Sequence, residues 1–389
     1  MEPGKLKKNI PFILAVFFCL AGGELYAAGT SSASFLRIGW GARPAAMGDA
    51  FTAAADDIDA IYWNPAGLNE VKRLQESFGH NKWIDGMNAE HLAVVFRPRP
   101  SYVLGAGLGY LNTGDIDRAD KHGNALGYYS ASDTVLVLSY ARMWKKKIRV
   151  GGNFKVISER IEDSGGKAFA LDAGAIYDYK PGLKLGVVLK NFGTGITLEK
   201  TAGSLPMSLR AGAAYQLKKN FLLASDLNLS LDDSFSLHLG GEYLYPPKVK
   251  GLNLTFRAGL KTAGMSYLGA LSALSLGFGA EKGDVTVDYS LNPYGAFGMA
   301  HRLELKMKFE TFSSAKNPEA EKAAEKIKAD PEAVYGETLR WLDSRVDSEK
   351  LSPGQQALLL EKIIEKFSPF GVDVSGARAR LEGLRNAGK

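Results

Sequence analysis

The chain has 389 residues, of which 46% are hydrophobic, 10% are aromatic and 44 are glycine. This composition is typical of a protein with many strands and tight turns. The formal net charge of +6 comes from scattered basic residues, which argues against a nucleic-acid-binding surface. Cys19 is the single cysteine, so the sequence predicts no disulfide and no thiol-based catalytic or metal site.

Residues 1–27 have the features of a secretory signal peptide. Three lysines precede the apolar run 10–21, and the small residues Ala27 and Ala28 follow it. The run is too short to cross a bilayer as a helix. Its order of charge, apolar run and small residues predicts export, with cleavage near Ala27.

Residues 28–73 are predicted to form an N-terminal plug. Alanine-rich stretches within 42–68 favour short helices, and the Asn64-Pro65 pair must interrupt them because the residue before a proline avoids the helical conformation. The strands that follow predict a barrel whose open lumen would leak, and small, tightly turning elements fit inside one. The plug residues singled out are Arg43, Met47, Gly48, Asn64, Pro65, Ala66 and Gly67.

Residues 74–310 are predicted to form an all-β transmembrane barrel of about fourteen antiparallel strands. The candidate strands alternate apolar and polar residues with a period of two. Short basic turns alternate with mostly longer loops at 113–131, 159–166, 192–205 and 262–271. Bacterial barrels have short periplasmic turns and longer external loops, and an even strand number places both ends on one side. We therefore expect a bacterial outer-membrane protein with both mature termini in the periplasm.

The predicted closing strand has the sharpest alternation. Leu303, Leu305, Met307 and Phe309 are separated by charged residues. One apolar face and one charged face fit outer-membrane lipid on one side and a watery lumen on the other. We therefore expect the substitution Lys306→Gln, on the lumen face, to be nearly neutral.

Five short motifs resemble the PorV/PorQ family, within the wider group of FadL-like outer-membrane barrels. They are Arg43-Pro44-Ala45-Ala46-Met47-Gly48-Asp49-Ala50, Trp63-Asn64-Pro65-Ala66-Gly67-Leu68, His80-Asn81-Lys82-Trp83-Ile84, Gly114-Asp115-Ile116 and Ser130-Ala131-Ser132-Asp133. The resemblance covers roughly residues 30–310. It implies that residues 64–66 match the short Asn-Pro-Ala motif of the FadL plug, and it makes His80, Trp83 and Asp115 candidate family-specific positions.

The resemblance implies two functions that the strands do not separate. The leading hypothesis is a component of protein secretion or cell-surface attachment, with a type IX-like shuttle role and with secreted cargo or secretion-machinery subunits as partners. The alternative is a plugged channel for uptake or export of hydrophobic small molecules. A second alternative is a structural barrel that tethers the envelope. No residue spacing suggests catalysis, so no enzyme, cofactor or metal is predicted.

Residues 311–389 are predicted to form a small helical extension in the periplasm. Asp330 and Ser352 each precede a proline and have the character of helix N-caps. The apolar residues that follow keep helical spacing, which most simply indicates packing between neighbouring helices. A docking module for a partner or for peptidoglycan is the alternative.

Overall fold

A computed structural model describes residues 31–198, 201–233, 235–245, 249, 251–309, 325–349 and 351–387. The chain divides into two compact units between Thr311 and Phe312. The predicted signal peptide lies outside the described residues. None of the helices within these ranges is long and apolar enough to span a membrane.

The described part of the first unit contains eighteen strands, which we number in chain order. They are β1 Leu74–Lys82, β2 Asn88–Arg99, β3 Tyr102–Asn112, β4 Ile116–Ala119, β5 Ala125–Tyr129, β6 Ala131–Lys145, β7 Ile148–Ile161, β8 Ser164–Lys180, β9 Leu183–Gly193, β10 Ile196–Leu198, β11 Thr201–Gly203, β12 Ser208–Lys218, β13 Phe221–Ser230, β14 Ser236–Tyr245, β15 Leu252–Lys261, β16 Leu274–Lys282, β17 Val285–Pro293 and β18 Met299–Phe309.

Fourteen of these strands form a closed antiparallel barrel. Its order is β1-β18-β17-β16-β15-β14-β13-β12-β9-β8-β7-β6-β3-β2, and β4-β5 and β10-β11 form two separate hairpins within loops. The barrel closes where β18 pairs with β1, with Leu74 opposite Phe309 and Lys82 opposite His301. The chain therefore enters and leaves the barrel at the same end.

The period-two alternation of the strands places apolar side chains on the outside of the barrel. In β18, Leu303 is 53% exposed, whereas the neighbouring Glu304 is 1% exposed. Leucine, phenylalanine and tyrosine repeat this outward exposure around the barrel, for example at Leu92, Leu138 and Phe278. In β18 the charged residues Arg302, Glu304 and Lys306 point inward, as in a barrel with lipid outside and polar groups inside.

The two ends of the barrel carry different connections. Short turns such as Pro181-Gly182 lie at the end where the chain enters, which we call the turn end, and the other end is the loop end. The predicted long loop at 159–166 is wrong. β7 and β8 continue to Ile161 and Ser164, which pair with each other, and only Glu162 and Asp163 connect them. Glu162 has φ +53°, the positive value that tight hairpin turns require.

The plug consists of the described residues 31–73 and has little regular structure. Its helices are α1 (Ala42–Ala46) and α2 (Ala60–Trp63), and two 3₁₀ helices span Ser34–Arg37 and Pro65–Glu70. Asn64 has φ −158° and ψ 104°, so it ends α2 as expected for a residue before proline. Its side-chain oxygen also accepts a hydrogen bond from Ala66 N at 3.2 Å, which caps the second 3₁₀ helix.

Short helical elements also occur in the loop-end connections. α3 (Met265–Leu268) and the 3₁₀ helix Ala270–Ala273 lie between β15 and β16, and the 3₁₀ helix Gly295–Phe297 lies between β17 and β18.

The second unit is helical, as the sequence predicts. It contains α4 (Pro331–Glu349), α5 (Pro353–Phe367) and α6 (Ser375–Ala387), with a 3₁₀ helix at Ser368–Phe370. Ser352 and Gln355 form a capping box at the start of α5, in which each side chain satisfies a backbone donor. Leu342, Leu360 and Phe367 are fully buried in one apolar cluster.

Candidate functional site: the plugged lumen

The plug occupies the lumen and forms one hydrophobic core with the barrel wall. Phe51, Ile58 and Ile61 of the plug are almost completely buried, and so are Val95 and Ile157 of the strands. A wall that turns apolar atoms inward is unusual for a water-filled barrel. It follows here from the plug, which supplies the atoms against which those side chains pack.

The Asn-Pro-Ala segment lies against glycines of β7 and β8. Asn64 donates its amide to Thr52 O at 2.8 Å, and Gly67 fits against the backbone of Ala55. A side chain at Gly151 would meet the backbone of residues 65 and 66, and one at Gly174 would meet Asn64 Oδ1. Glycine at these wall positions lets the plug backbone approach the strands closely.

Met47 and Gly48 make a similar close contact with β14 and β15. A side chain at Gly240 would come within 2.5 Å of Met47 O, and Gly48 adopts φ +63° in a space bounded by the backbone of Leu260. The Gly48 carbonyl accepts a hydrogen bond from His238 Nδ1 at 2.8 Å. Because a positive φ and a lack of space coincide there, only glycine fits at position 48.

Arg43 connects the plug to the wall through ion pairs. Its guanidinium lies 2.6 Å from Asp56 Oδ1, 3.0 Å from Asp57 Oδ2 and 2.8 Å from Glu242 Oε2. Glu242 of β14 is in turn 2.7 Å from Arg257 Nε. The planar guanidinium can make several such charge-assisted bonds at once, so one residue joins two plug carboxylates to a strand.

Lys306 forms the centre of a second ionic cluster. Its Nζ lies 2.5 Å from Asp59 Oδ2, 3.1 Å from Asp57 Oδ2 and 3.4 Å from Glu304 Oε2. Burial and the nearby charge of Glu304 raise the pKa of Asp59 well above its usual value, although Lys306 opposes this effect. Lys306 is 6% exposed. The expectation of a watery environment at Lys306 is therefore wrong, and its buried ion pairs now predict that Lys306→Gln is destabilising.

Asp59, His91 and Glu304 form a group whose ligand atoms lie within 4.8 Å of one another. By chemistry and distance these three side chains could hold a metal ion. The Lys306 ammonium already lies beside both carboxylates, and Ala42 N donates to Glu304 at 3.0 Å. We therefore assign the group to holding the plug against β18 and β2.

The loop-side cavity is a space of about 490 Å³ between the plug and the loop end. Tyr62 and Trp63 of the plug line it, together with Lys190 and Arg210 of the wall. Lys190 Nζ lies 3.5 Å from the centre of the Tyr62 ring, and Arg210 Cζ lies 5.0 Å from the centre of the Trp63 ring. The volume is within the range of small-molecule pockets.

Asp49 and Lys261 also line the loop-side cavity, and they form an ion pair of 2.9 Å. Burial acts to raise the pKa of Asp49, but the positive charges of Lys261 and Arg302 outweigh burial and lower this pKa to about 2. Asp49 is therefore ionised, and the plug end of the cavity combines aromatic faces with fixed charges.

The candidate family-specific residues are not gathered at one place. Trp83 lines the loop-side cavity and contacts the Tyr294 ring edge to face at 4.5 Å. His80 is exposed on the outer face, with Nδ1 3.1 Å from Glu90 Oε1. Asp115 is exposed in the loop before the β4-β5 hairpin. Only Trp83 therefore contributes to the lumen.

The apolar residues of the closing strand lie on the outer face of the barrel. Leu303, Leu305 and Phe309 are exposed there, and Met307 is half-buried.

Several residues that define the lumen were missed at the sequence level. Asp59, His91, Lys190, Arg210 and Asp226 are buried and charged or polar. The sequence did contain a signal for such residues, because Lys190 and Asp226 are charged residues at inward-facing positions of their strands. A buried charge requires a partner, and the plug is the segment that can supply one.

Comparison with known proteins gives one partial family match and several solved structures with the same fold. Residues 27–174 match an uncharacterised protein family, UPF0164. No curated protein sequence matches the chain significantly.

Solved structures with the same fold include three channels or transporters. CymD, a monoaromatic hydrocarbon channel, is 14% identical with a TM-score of 0.51, over 70% of this chain and 98% of that one. The toluene transporter TbuX of Ralstonia pickettii is 16% identical with a TM-score of 0.50, over 70% and 99%. The toluene transporter TodX of Pseudomonas putida is 12% identical with a TM-score of 0.50, over 73% and 98%.

At these identities the likeness concerns the fold. The predicted fold, a closed barrel of fourteen antiparallel strands with a helical C-terminal region, is confirmed. Assignment to the PorV/PorQ family in particular stays a prediction.

Proposed function

We propose that the protein is a plugged outer-membrane channel for small hydrophobic molecules. The observation that carries this proposal is the loop-side cavity, which lies inside a closed barrel and is lined by aromatic rings of the plug. A solute entering from the loop end would meet this cavity before the plug. The channels and transporters for toluene and other monoaromatic hydrocarbons that share the fold support the same substrate class.

The apolar exterior supports a location in the outer membrane. The entry and exit of the chain at the turn end support a periplasmic position for both mature termini, and hence for the helical unit.

The comparisons favour this channel function over secretion, which was the leading hypothesis from the sequence. A shuttle role in protein secretion or surface attachment, with cargo proteins as partners, stays a prediction. The structural tethering role of the tail also stays a prediction.

Two measurements test the channel. Purified protein should bind labelled toluene saturably, and intact Gram-negative host cells that display the protein should take up toluene faster than cells without it. Trp83→Ala removes an aromatic face from the cavity and should weaken binding about two- to tenfold, since aromatic contacts contribute about 0.5–1.5 kcal/mol. The matched control is Trp341→Ala in α4. Absence of both saturable binding and accelerated uptake would overturn the proposal.

A further inference from the structure

Two cavities lie on opposite sides of the plug beside the same part of the wall. The loop-side cavity reaches Lys190 of β9, Arg210 of β12 and Asn228 of β13. A second space of about 360 Å³, the turn-side cavity, is lined by Ala54 of the plug and by Ala214 and Leu222 of β12 and β13. Both cavities therefore follow the strands β9, β12 and β13.

Along β12 the two cavities are separated by a single inward position. Along β12, Arg210 lines one cavity and Ala214 lines the other, and the inward position between them is Gly212. Four residues of strand span about 13 Å. Gly186 lies next to Gly212 on β9, so neither strand places a side chain across the gap at this level.

Plug residues 51–53 fill the gap. A side chain at Gly186 would meet Thr52 O at 2.6 Å and Ala53 Cα at 2.9 Å, which shows how closely the plug lies against the wall. Phe51 and Thr52 are completely buried. The block is therefore a short stretch of plug backbone against Gly186, together with the Asp226 carboxylate, which occupies the space over Gly212.

Asp226 of β13 holds this stretch in place. Its Oδ2 accepts hydrogen bonds from Phe51 N at 3.0 Å, Thr52 N at 2.9 Å and Thr52 Oγ1 at 2.6 Å. Arg210 Nη2 lies 3.2 Å from the same oxygen and also donates to Asp49 O at 2.6 Å. One carboxylate oxygen thus holds two successive backbone N–H groups. We call this set of hydrogen bonds the Asp226 contact.

The side chains of Asp226 and Arg210 use only part of their hydrogen-bonding capacity. Asp226 Oδ1 and Arg210 Nε are buried without a hydrogen-bond partner among the described residues. Unsatisfied buried polar atoms cost free energy, so the closed arrangement is less favourable than a fully bonded one. Release of residues 51–53 would join the two cavities along the wall and allow these atoms to be hydrated.

We propose that solute crosses the plug along the inner surface of β9, β12 and β13, and that the Asp226 contact closes this route. The inference rests on the proposed channel function and adds where the route runs and which residue closes it. A solute would move from the aromatic end of the loop-side cavity past Gly212 into the turn-side cavity.

The first test blocks the turn-side cavity. Ala214→Phe adds a ring to an inward position that is distant from the toluene-binding end. We expect uptake of labelled toluene by intact cells to fall at least tenfold, with saturable toluene binding by the purified protein unchanged. The control Gln75→Phe adds the same ring in a different turn-end space, of about 340 Å³, and should retain both activities.

The results separate this inference from the proposed function. Wild-type protein that neither binds nor takes up toluene contradicts the channel itself. If wild-type protein does both and Ala214→Phe takes up toluene at an undiminished rate, the channel stands and this route is wrong.

The second test weakens the closing contact without adding bulk. Asp226→Asn keeps the shape but replaces charge-assisted bonds with weaker ones, so we expect several-fold more frequent ion-conducting openings in planar bilayers. The control Asn292→Ala removes a different plug contact, a 3.0 Å bond to Ala45 O from β17. Equal opening frequencies in both variants would show that Asp226 does not close the route. Heat-modifiable gel mobility verifies that each variant is folded.

Discussion

Asn64 and Gly174 are complementary, because the amide oxygen of Asn64 occupies the space that a side chain at position 174 would need. Asn64 is completely buried, and its amide nitrogen donates to Thr52 O. The position of the plug motif is therefore set by a missing side chain on β8 as well as by the motif itself.

This relationship predicts the effect of Gly174→Ala. The added methyl group must displace Asn64, and overpacking of this kind costs about 1–3 kcal/mol. We expect a lower midpoint temperature for the loss of heat-modifiable gel mobility, together with leak conductance in planar bilayers. Gly241→Ala is the control, since the nearest atom to its new methyl group is 3.8 Å away. Equal effects of both substitutions would contradict the close fit of the plug.

Deletion of residues 42–68 tests whether the plug closes the barrel. Strand pairing does not involve this segment, so the deleted form should still fold and should conduct ions across planar bilayers, whereas the intact protein should be nearly silent. Replacement of Asn64 and Pro65 by alanine should give an intermediate conductance, because it removes the fixed path of the segment but leaves its bulk. Equal conductance of intact and deleted forms would mean that this segment does not close the lumen.

Lys306→Gln should destabilise the protein. It leaves Asp57 and Asp59 without their lysine partner in a buried site, and loss of one member of a buried ion pair typically costs about 3–5 kcal/mol. Lys308→Gln is a matched control, because the Lys308–Glu281 pair on the same strand is about one-third exposed and should contribute about 1 kcal/mol or less. Urea unfolding in detergent measures both, and equal midpoints would contradict the buried cluster.

Leu305→Arg tests the direction in which β18 faces. Leu305 lies on the outer surface, and an arginine facing lipid near the bilayer midplane costs about 2–4 kcal/mol. We expect a corresponding loss of stability in lipid bilayers, measured by urea titration of folding into vesicles. Leu305→Met should have little effect. A fully stable arginine variant would show that this face does not contact lipid.

Topology can be tested with tags on intact cells. Gly123 lies in the exposed turn between β4 and β5 at the loop end, so an epitope inserted after it should be labelled from outside. An epitope after the C-terminal residue should be labelled only after the outer membrane is permeabilised. The reverse pattern would place the loop-side cavity opening in the periplasm.

Much of the barrel could be predicted because the alternation within each strand indicates which side chains face outward and which face inward. The alternation of Leu303, Glu304 and Leu305 identifies an outward and an inward face without knowledge of any partner. The alternation does not indicate which groups fill the lumen. Lys306 and Lys308 are indistinguishable in the sequence, yet the first is buried among carboxylates and the second is partly exposed.

Loop lengths were less predictable for a related reason. The polar segment 159–166 has the composition of a loop, but most of it extends β7 and β8 as a hairpin. Cross-strand pairing overrides local composition there. The pairing of Asp226 with Thr52 could not be predicted from local sequence either, since the two residues are separated by 174 positions.

The contacts between plug and wall also constrain how the barrel is assembled. Asp59 and Lys306 are 247 positions apart, so the plug, which is synthesised first, cannot complete its ion pairs until the last strand is in place. Contacts between residues so far apart in the chain cost conformational entropy and form slowly. Closure of β18 onto β1 and enclosure of the plug are thus expected to be one concerted step of biogenesis, and an incompletely translated chain would expose plug carboxylates that have no counterions.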